Sequence, residues 1–248
     1  MNQKNKISVI IIAKNEATRI STCIEHAKWA DEIIVVDNGS TDETIEIAEK
    51  MKVKVFKQPG LNFSELRDYG AKVATGTWLL YIDADEWVTK ELQKEIEEKI
   101  EETVSAYYIF RKNFYLGHIW PTKDKMIRLI RKDALVSWIG KVHEHPRIQG
   151  VIRDLREPLI HDTHRTLSEM VEKTNEWSEI EADLRMQAKH PQMSWWRFLR
   201  VMMTAFNDSF FKQQGWRAGI TGWIESIYQA FSMFITYAKL WERQQKRA

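Results

Sequence analysis

A chain of 248 residues suits one large domain, or one domain with an appended part, and its 44 % apolar residues suffice for a sizeable core. The single cysteine, Cys23, excludes an internal disulfide framework and fits a reducing compartment. No uncharged apolar stretch reaches the roughly 18 residues of a membrane-spanning helix, and the short apolar run before Lys14 lacks the features of a signal peptide. Net charge is only +2, but the residues from His190 onward hold eight Lys/Arg against three Asp/Glu, and 13 of the 28 aromatics.

"ISVIII" (7–12) reads as a strand buried on both faces, the pattern of a parallel sheet. Asn15 is placed to cap a helix to about Lys28. "EIIVVD" (32–37) is a second strand; Ser40 and Glu43 then stand at capping-box spacing before a helix to about Lys50. "VKVF" (53–56) is a third strand, and Asn62 with Glu65 repeats the capping spacing before a helix to about Ala74. "TWLLYID" is the fourth strand, followed by a charged helix from about Lys90 to Glu102. This alternation predicts an α/β, mostly parallel sheet with right-handed crossovers. The pieces "AYYIF", "MIRLIRK" and "RIQGVI" read as a mixed or antiparallel extension. From Leu167 the chain reads as three helices, 167–189, 194–213 and 217–243.

Ligands of such sheets bind at the carboxyl ends of strands. Asn15 and Glu16, Asp37, and Asp83 with Asp85 all lie just past such ends, so three strands place acidic or amide groups on one rim. The stretch "LLYIDADEW" raises the sharpest question. Carboxylates so close repel one another, and burying them unpaired is costly. Either they form a solvated strand end, or they share a hard cation that accepts oxygen ligands and in turn holds a diphosphate. Asp37, before a glycine turn, is either a turn residue or an acceptor for a ribose or base N–H. Asp42 reads as a first-turn helix acid, and Cys23 as inert core packing.

"VIIIAKNEATRI", "ADEIIVVDNGSTDET", "LRDYGAKVATGTWLLYIDADEWVT" and "GKVHEHP" resemble family 2 glycosyltransferases of the GT-A fold. The similarity is to the branch of lipopolysaccharide core glucosyltransferases; it covers about residues 6 to 165 and, more loosely, the Trp-rich tail ending "YAKLWE". The resemblance implies that Ala13, Asn15 and Glu16 edge a nucleoside pocket and that Asp37 binds the base, with uracil expected. Arg67 would help hold the pocket and diphosphate. Asp83 and Asp85 would form the Asp-x-Asp metal–nucleotide motif, with Asp85 the direct metal ligand in preference to Asp83. Glu144 matches the catalytic base, flanked by His143 and His145 as metal or phosphate neighbours. Two positions depart from the pattern: Ala13 stands where a Pro usually ends the first strand, and Asp68 replaces an Asn.

An inverting transfer needs a base for the acceptor hydroxyl and a cation, Mg²⁺ or Mn²⁺, for the leaving diphosphate, and the residues supply candidates for both. Arg128 and Arg131 face opposite sides if their segment is a strand, so at most one, with Arg128 the candidate, reaches the diphosphate. His161 and His164 either bind metal or acceptor or are ordinary loop histidines.

The expected division is a catalytic domain over 1–165, with its nucleotide part to about 104 and its acceptor part from about 105, and a helical extension over 166–248. In that extension Ile220, Trp223, Ile227, Phe231, Phe234 and Ile235 recur at spacings that make one apolar face. With Trp, Tyr, Lys and Arg at its margins, this face suits a membrane interface, or else packing on the catalytic domain or a second chain of a homodimer. The expected protein transfers a hexose from a nucleotide-diphospho-sugar, with UDP expected, to a lipid-linked or lipopolysaccharide-type glycan, peripheral on the cytoplasmic membrane face. No nucleic-acid partner is expected. A nucleotidyltransferase is the alternative enzyme, but "AKNEATR" lacks the glycine-rich phosphate loop it would want. A non-catalytic glycan-binding or scaffold protein is the other alternative; intact Asp83, Asp85 and Glu144 argue against it.

Overall fold

The computed structural model describes residues 5–140 and 144–246, with the backbone alone at His164. The chain divides into two compact units, Met1–Lys112 with Asp124–His161, and Asn113–Lys123 with Asp162–Ala248.

The first unit is built on a parallel core. Strand β1 (Ile7–Ala13) is buried along its whole length and lies between β2 (Glu32–Asp37) and β4 (Trp78–Asp83), with β3 (Lys54–Lys57) beyond β2. Its alternation divides the core into two layers. Ile7, Val9 and Ile11 pack with α1 (Ile20–Glu25), Ala48 of α2 (Thr44–Lys50), and Leu92 and Ile96 of α4 (Lys90–Lys99). Ile10 and Ile12 pack on the other face with Leu66 of α3 (Phe63–Val73) and with Trp138. Each such buried aliphatic side chain contributes about 1.5–3 kcal/mol, so a β1 strand without charge is what the sheet centre requires. Gly70 lets α3 approach closely, since a Cβ there would come within 2.5 Å of Ile10 Cγ2.

Beyond β4 the sheet turns antiparallel through β8 (Asp124–Arg131) and β6 (Ala106–Tyr115), the predicted mixed extension. The short β5 (Glu86–Trp87) pairs antiparallel with β12 (Leu159–His164) through Ile160–Trp87 and His161–Glu86. β9 (Leu135–Ile139) and β10 (His145–Ile148) form a separate hairpin, and β11 (Ile152–Asp154) adds parallel to β6. The predicted "RIQGVI" strand is thus interrupted at Gly150, whose φ is +110°.

The Asn62–Glu65 capping box forms as expected. The other two caps do not. Asn15 adopts φ +56°, α1 starts only at Ile20, and Asn15 Oδ1 accepts from Thr41 N at 2.8 Å. The Ser40 hydroxyl donates to Asp37 instead of capping, and α2 begins at Thr44. Asp42 also lies outside the helix; its carboxylate accepts from Ala17 N and Thr44 N. Each polar residue is drawn to a neighbouring loop, where it stitches the β1 and β2 ends together.

The second unit contains α5 (Leu167–Gln187), α6 (Trp195–Asn207), a π-helical turn (Asp208–Lys212) and α7 (Gly219–Gln245). α7 packs against both α5 and α6. Ala182, Met193 and Leu240 form a small apolar centre, and the buried Tyr228 hydroxyl donates to Met170 O beside Thr174. Gly222 is fixed by contact, because a Cβ there would fall 1.7 Å from Gly215 O. Among the described residues, no helix is long and apolar enough to cross a membrane.

Candidate active site

The carboxyl ends of β1 and β2 form a tied rim. Asn38 N donates to Ala13 O at 2.9 Å, Asn15 N to Ser40 Oγ at 2.9 Å, and Glu16 N to Thr44 Oγ1 at 2.7 Å. Asp37 is fully buried and accepts from Gly39 N and Ser40 N, both at 2.9 Å, as well as from the Ser40 hydroxyl. It braces its own turn rather than presenting an open carboxylate.

The carboxyl end of β4 carries a denser arrangement. Arg67, on α3, is 2 % exposed and reaches three ways. Its Nη2 donates to Asp83 Oδ1 at 2.8 Å, its Nε donates to Glu144 Oε1 at 2.9 Å, and its guanidinium carbon lies 5.0 Å from the Trp138 ring centre. Asp68, beside it on α3, accepts from Trp138 N at 2.9 Å and so holds the wall of the Arg67 pocket, a contact an Asn oxygen would also make. Arg128, from β8, donates from Nη2 to Asp83 Oδ2 at 2.6 Å and to Glu86 Oε1 at 3.1 Å. Glu86 is wholly buried; it also accepts from Asp83 N at 2.9 Å and from Arg111 Nη1 at 3.2 Å. Arg111 Nε in turn donates to Asp124 at 2.8 Å. Acids and guanidinium groups alternate along one chain, Glu144–Arg67–Asp83–Arg128–Glu86–Arg111–Asp124. Alternation is what makes so many buried charges tolerable.

Asp85 stands beside this chain. Its carboxylate lies 3.6 Å from Arg19 Nη1 and 3.6 Å from His161 Nε2, and Arg19 also pairs with Glu16 at 3.2 Å. Burial opposes ionisation of Asp83, but Arg128 and Arg67 overcome it and hold the carboxyl well below the usual range. Burial likewise opposes the charged form of His161, yet the hydrogen bond and charge of Asp85 raise its pKa above the ordinary histidine value. Burial together with the negative charge of Glu86, Asp85 and Asp83 pushes the Cys23 thiol up, so it is an inert thiol, as its packing suggests.

Asp83, Asp85, Glu144, Arg67 and Arg128 are therefore brought together, with Glu16 joined through Arg19. Ala13, Asn15 and Asp37 form the adjoining rim. Arg131 is elsewhere, on Asp133 at 2.6 Å. His145, in β10, is exposed. His143 and the His164 side chain lie outside the described residues. Sequence reasoning missed Arg19, Glu86, Arg111 and Asp124 as members of the cluster. Glu86 had a signal, since a third acid directly after Asp-x-Asp on a short strand needs a partner. Arg19 showed only its local pairing with Glu16, and nothing tied Arg19 to Asp85 or Arg111 to Glu86 and Asp124, because those partners come from other segments.

Residues 8–168 match the family described as Glycosyl transferase family 2, and this chain belongs to that family. It is a glycosyltransferase with a GT-A-like mixed α/β fold. An uncharacterized glycosyltransferase of Rickettsia conorii is 33 % identical over 97 % of this chain and 92 % of its own. The lipopolysaccharide core biosynthesis glycosyltransferase LpsC of Rhizobium meliloti is 26 % identical over 100 % of this chain and 96 % of its own. Among solved structures, S. aureus TarS in complex with UDP-GlcNAc shares the fold at a TM-score of 0.53 and 16 % identity, over 97 % of this chain and 92 % of that one.

Proposed function

We propose that the chain is an inverting glycosyltransferase that moves a hexose from a UDP-sugar to a lipid-linked, lipopolysaccharide-type glycan, with Mg²⁺ or Mn²⁺ as cofactor. Residues 1–165 would carry the chemistry. The observation that carries this reading is Arg67. One buried guanidinium holds both Asp83 of the Asp-x-Asp motif and Glu144, the proposed base, and its Nη1 is buried without a hydrogen-bond partner among the described residues. An unmatched buried donor is costly unless a ligand meets it, and a diphosphate oxygen is a fitting acceptor. The names of LpsC and of the TarS complex, with its UDP-GlcNAc, support the acceptor and donor classes.

Among the described residues no group of three or more His, Cys, Asp and Glu stands ready to hold a metal ion, so a divalent cation would need the diphosphate oxygens to complete its shell. Glu16, Asp83, Asp85, Glu86, Asp124 and Glu144 are six carboxylates; Arg19, Arg67, Arg111 and Arg128 are four guanidinium groups, so the cluster carries a surplus of two negative charges while His161 is neutral. Asp85 and His161 would hold the cation, since a carboxylate and an imidazole 3.6 Å apart can share one ion. Asp83 is committed to Arg67 and Arg128 and would hold these two guanidinium groups in place for the diphosphate. The bound cation would supply positive charge to the departing diphosphate. Both Arg67 contacts fall on Glu144 Oε1. Oε2 would take the acceptor hydroxyl proton as the sugar carbon is attacked from the side opposite the diphosphate. Ala13, Asn15 and the turn braced by Asp37 would edge the uracil.

Residues 166–248 would dock on an anionic membrane surface at the cytoplasmic face. Trp195 is 77 % exposed, Ile220 73 % and Met203 64 %, and Arg197 lies over the Trp196 ring at 4.6 Å. Exposed indoles with guanidinium groups beside them fit the headgroup region, and the net +5 of the last 59 residues fits anionic lipid.

The test is Asp85→Asn. Asp85 lies in the turn between β4 and β5, its charged neighbours are at 3.6 Å and Asn keeps its volume, so the variant should fold and lose manganese-dependent UDP binding. Unchanged manganese-dependent UDP affinity would sink the assignment.

A further inference from the structure

Beside its small apolar centre, the helical unit turns large apolar side chains outward and polar ones inward. α6 turns Trp195, Leu199 and Met203 outward and buries none of its residues fully. Between α6 and α7 lies instead a pocket of about 590 Å³, within the ordinary range for ligand sites. Glu225, Gln229 and Tyr237 of α7 line it at intervals of four and eight residues, which sets them in one row along the helix. Asp208 enters from the π turn and Gln213 directly after it, and Tyr115 lines the same space. Glu225 is 1 % exposed, and Gln229 Nε2 donates to its Oε1 at 2.6 Å. A carboxylate set between two packed helices costs stability that an apolar residue would not. The π turn is a second and independent sign, since such turns are rare and concentrate at functional sites. The small Ala205 and Thr204 on the α6 side keep the space open.

We propose that this pocket binds a saccharide ring. Asp208 is paired with Lys212 at 2.5 Å, and the buried Glu225 carboxylate disfavours a phosphate in this space, so the lining does not suit the nucleotide. Two carboxylates accept, two carboxamides both donate and accept, and Arg200 donates. Vicinal hydroxyls match that mixture, and the Tyr115 and Tyr237 rings offer apolar surface to the C–H face of a sugar. The ring would be a unit of the acceptor glycan, and to that extent the assignment rests on the glycosyltransferase reading above.

Saturation-transfer NMR on the full chain tests it, with glucose, galactose, mannose and N-acetylglucosamine as probes, with and without saturating UDP and manganese. At least one monosaccharide should give signals that survive UDP and survive Asp85→Asn. The same signals should fall at least about fivefold in Glu225→Gln, as loss of a charge-assisted hydrogen bond implies. Thr204→Trp fills the exposed rim without entering the core, and it should abolish them even if Glu225→Gln fails to fold. Absence of any signal would overturn the assignment. So would signals displaced by UDP, or unchanged in Thr204→Trp, since the sugar would then sit elsewhere. If UDP binding fails while UDP-insensitive sugar signals persist, the nucleotide reading falls and the pocket stands.

Discussion

The two units solve opposite problems. The first buries charge: Glu86 at 0 %, Arg67 at 2 % and Arg128 at 3 % exposure lie under a rim of strand ends, each ionic group against one of opposite sign. The second exposes apolar surface: Trp195, Met203 and Ile220 face outward, while Glu225 and Ser226 are buried between helices. Each departs from the ordinary rule of apolar inside and charge outside. A functional reading follows from each departure, because stability alone would favour neither. In the first unit the charges are so interlocked that removing one should propagate. In the second, exposed side chains should be removable with little loss of fold.

The largest stability effect should come from the first unit. Glu86→Ala leaves Arg128 and Arg111 short of a carboxylate in a buried place, which costs about 3 kcal/mol. Differential scanning calorimetry should show that loss. A shift of under a degree would mean that Asp83 and Asp124 compensate fully and that the chain of charges is not cooperative.

Glu32→Gln is expected to cost less and to reveal itself through pH. Burial opposes ionisation of Glu32, but hydrogen bonds from Lys54, Ser8 and Thr75 bring its pKa down to about 2. A carboxylate with a depressed folded pKa stabilises above its unfolded value, near 4.3, and loses that contribution as pH falls toward the folded value. The variant should therefore be destabilised by about 1–3 kcal/mol at neutral pH. Denaturant midpoints should converge with the parent between about pH 4 and pH 2. Equal differences at both ends of that range would refute the linkage.

The smallest stability effect should come from Trp195→Ala, within about 0.5 kcal/mol, because the indole has little left to lose on unfolding. Its affinity for anionic vesicles should drop on the order of tenfold, as expected if most of an indole leaves water on docking. Parent binding should weaken with salt without vanishing, since the charge contribution is screened and the apolar one is not. Failure of the well-folded parent to float with vesicles would refute membrane docking, and self-association would then explain the exposed face.

Much of the first unit was legible in the sequence, for a definite reason. Alternating strands and helices locate the carboxyl ends, so Asp83 and Asp85 could be placed on a rim from the residue pattern alone. The capping box at Asn62 and Glu65 was legible because both partners are local. Asn15 and Ser40 misled because the same side chains can cap a helix or bridge to a loop, and long-range contacts decided for the bridge. Arg19 and Arg111 were illegible for the same reason, their partners Asp85 and Glu86 lying far along the chain. In the tail the spacing of Ile220, Trp223 and Ile227 gave the apolar face, but nothing in the period showed that α6 would turn Trp195 and Met203 outward as well.

The central claim is that the β4 cluster is catalytic with Glu144 as its base. The direct measurement is turnover and UDP affinity of Glu144→Gln with a UDP-sugar donor and manganese. The amide keeps the shape and the Arg67 contact but cannot take the proton. UDP affinity should stay within a few-fold of the parent while turnover falls about 10²–10⁴-fold, the usual worth of general-base catalysis. Turnover within a few-fold of the parent would contradict the account and place the base elsewhere.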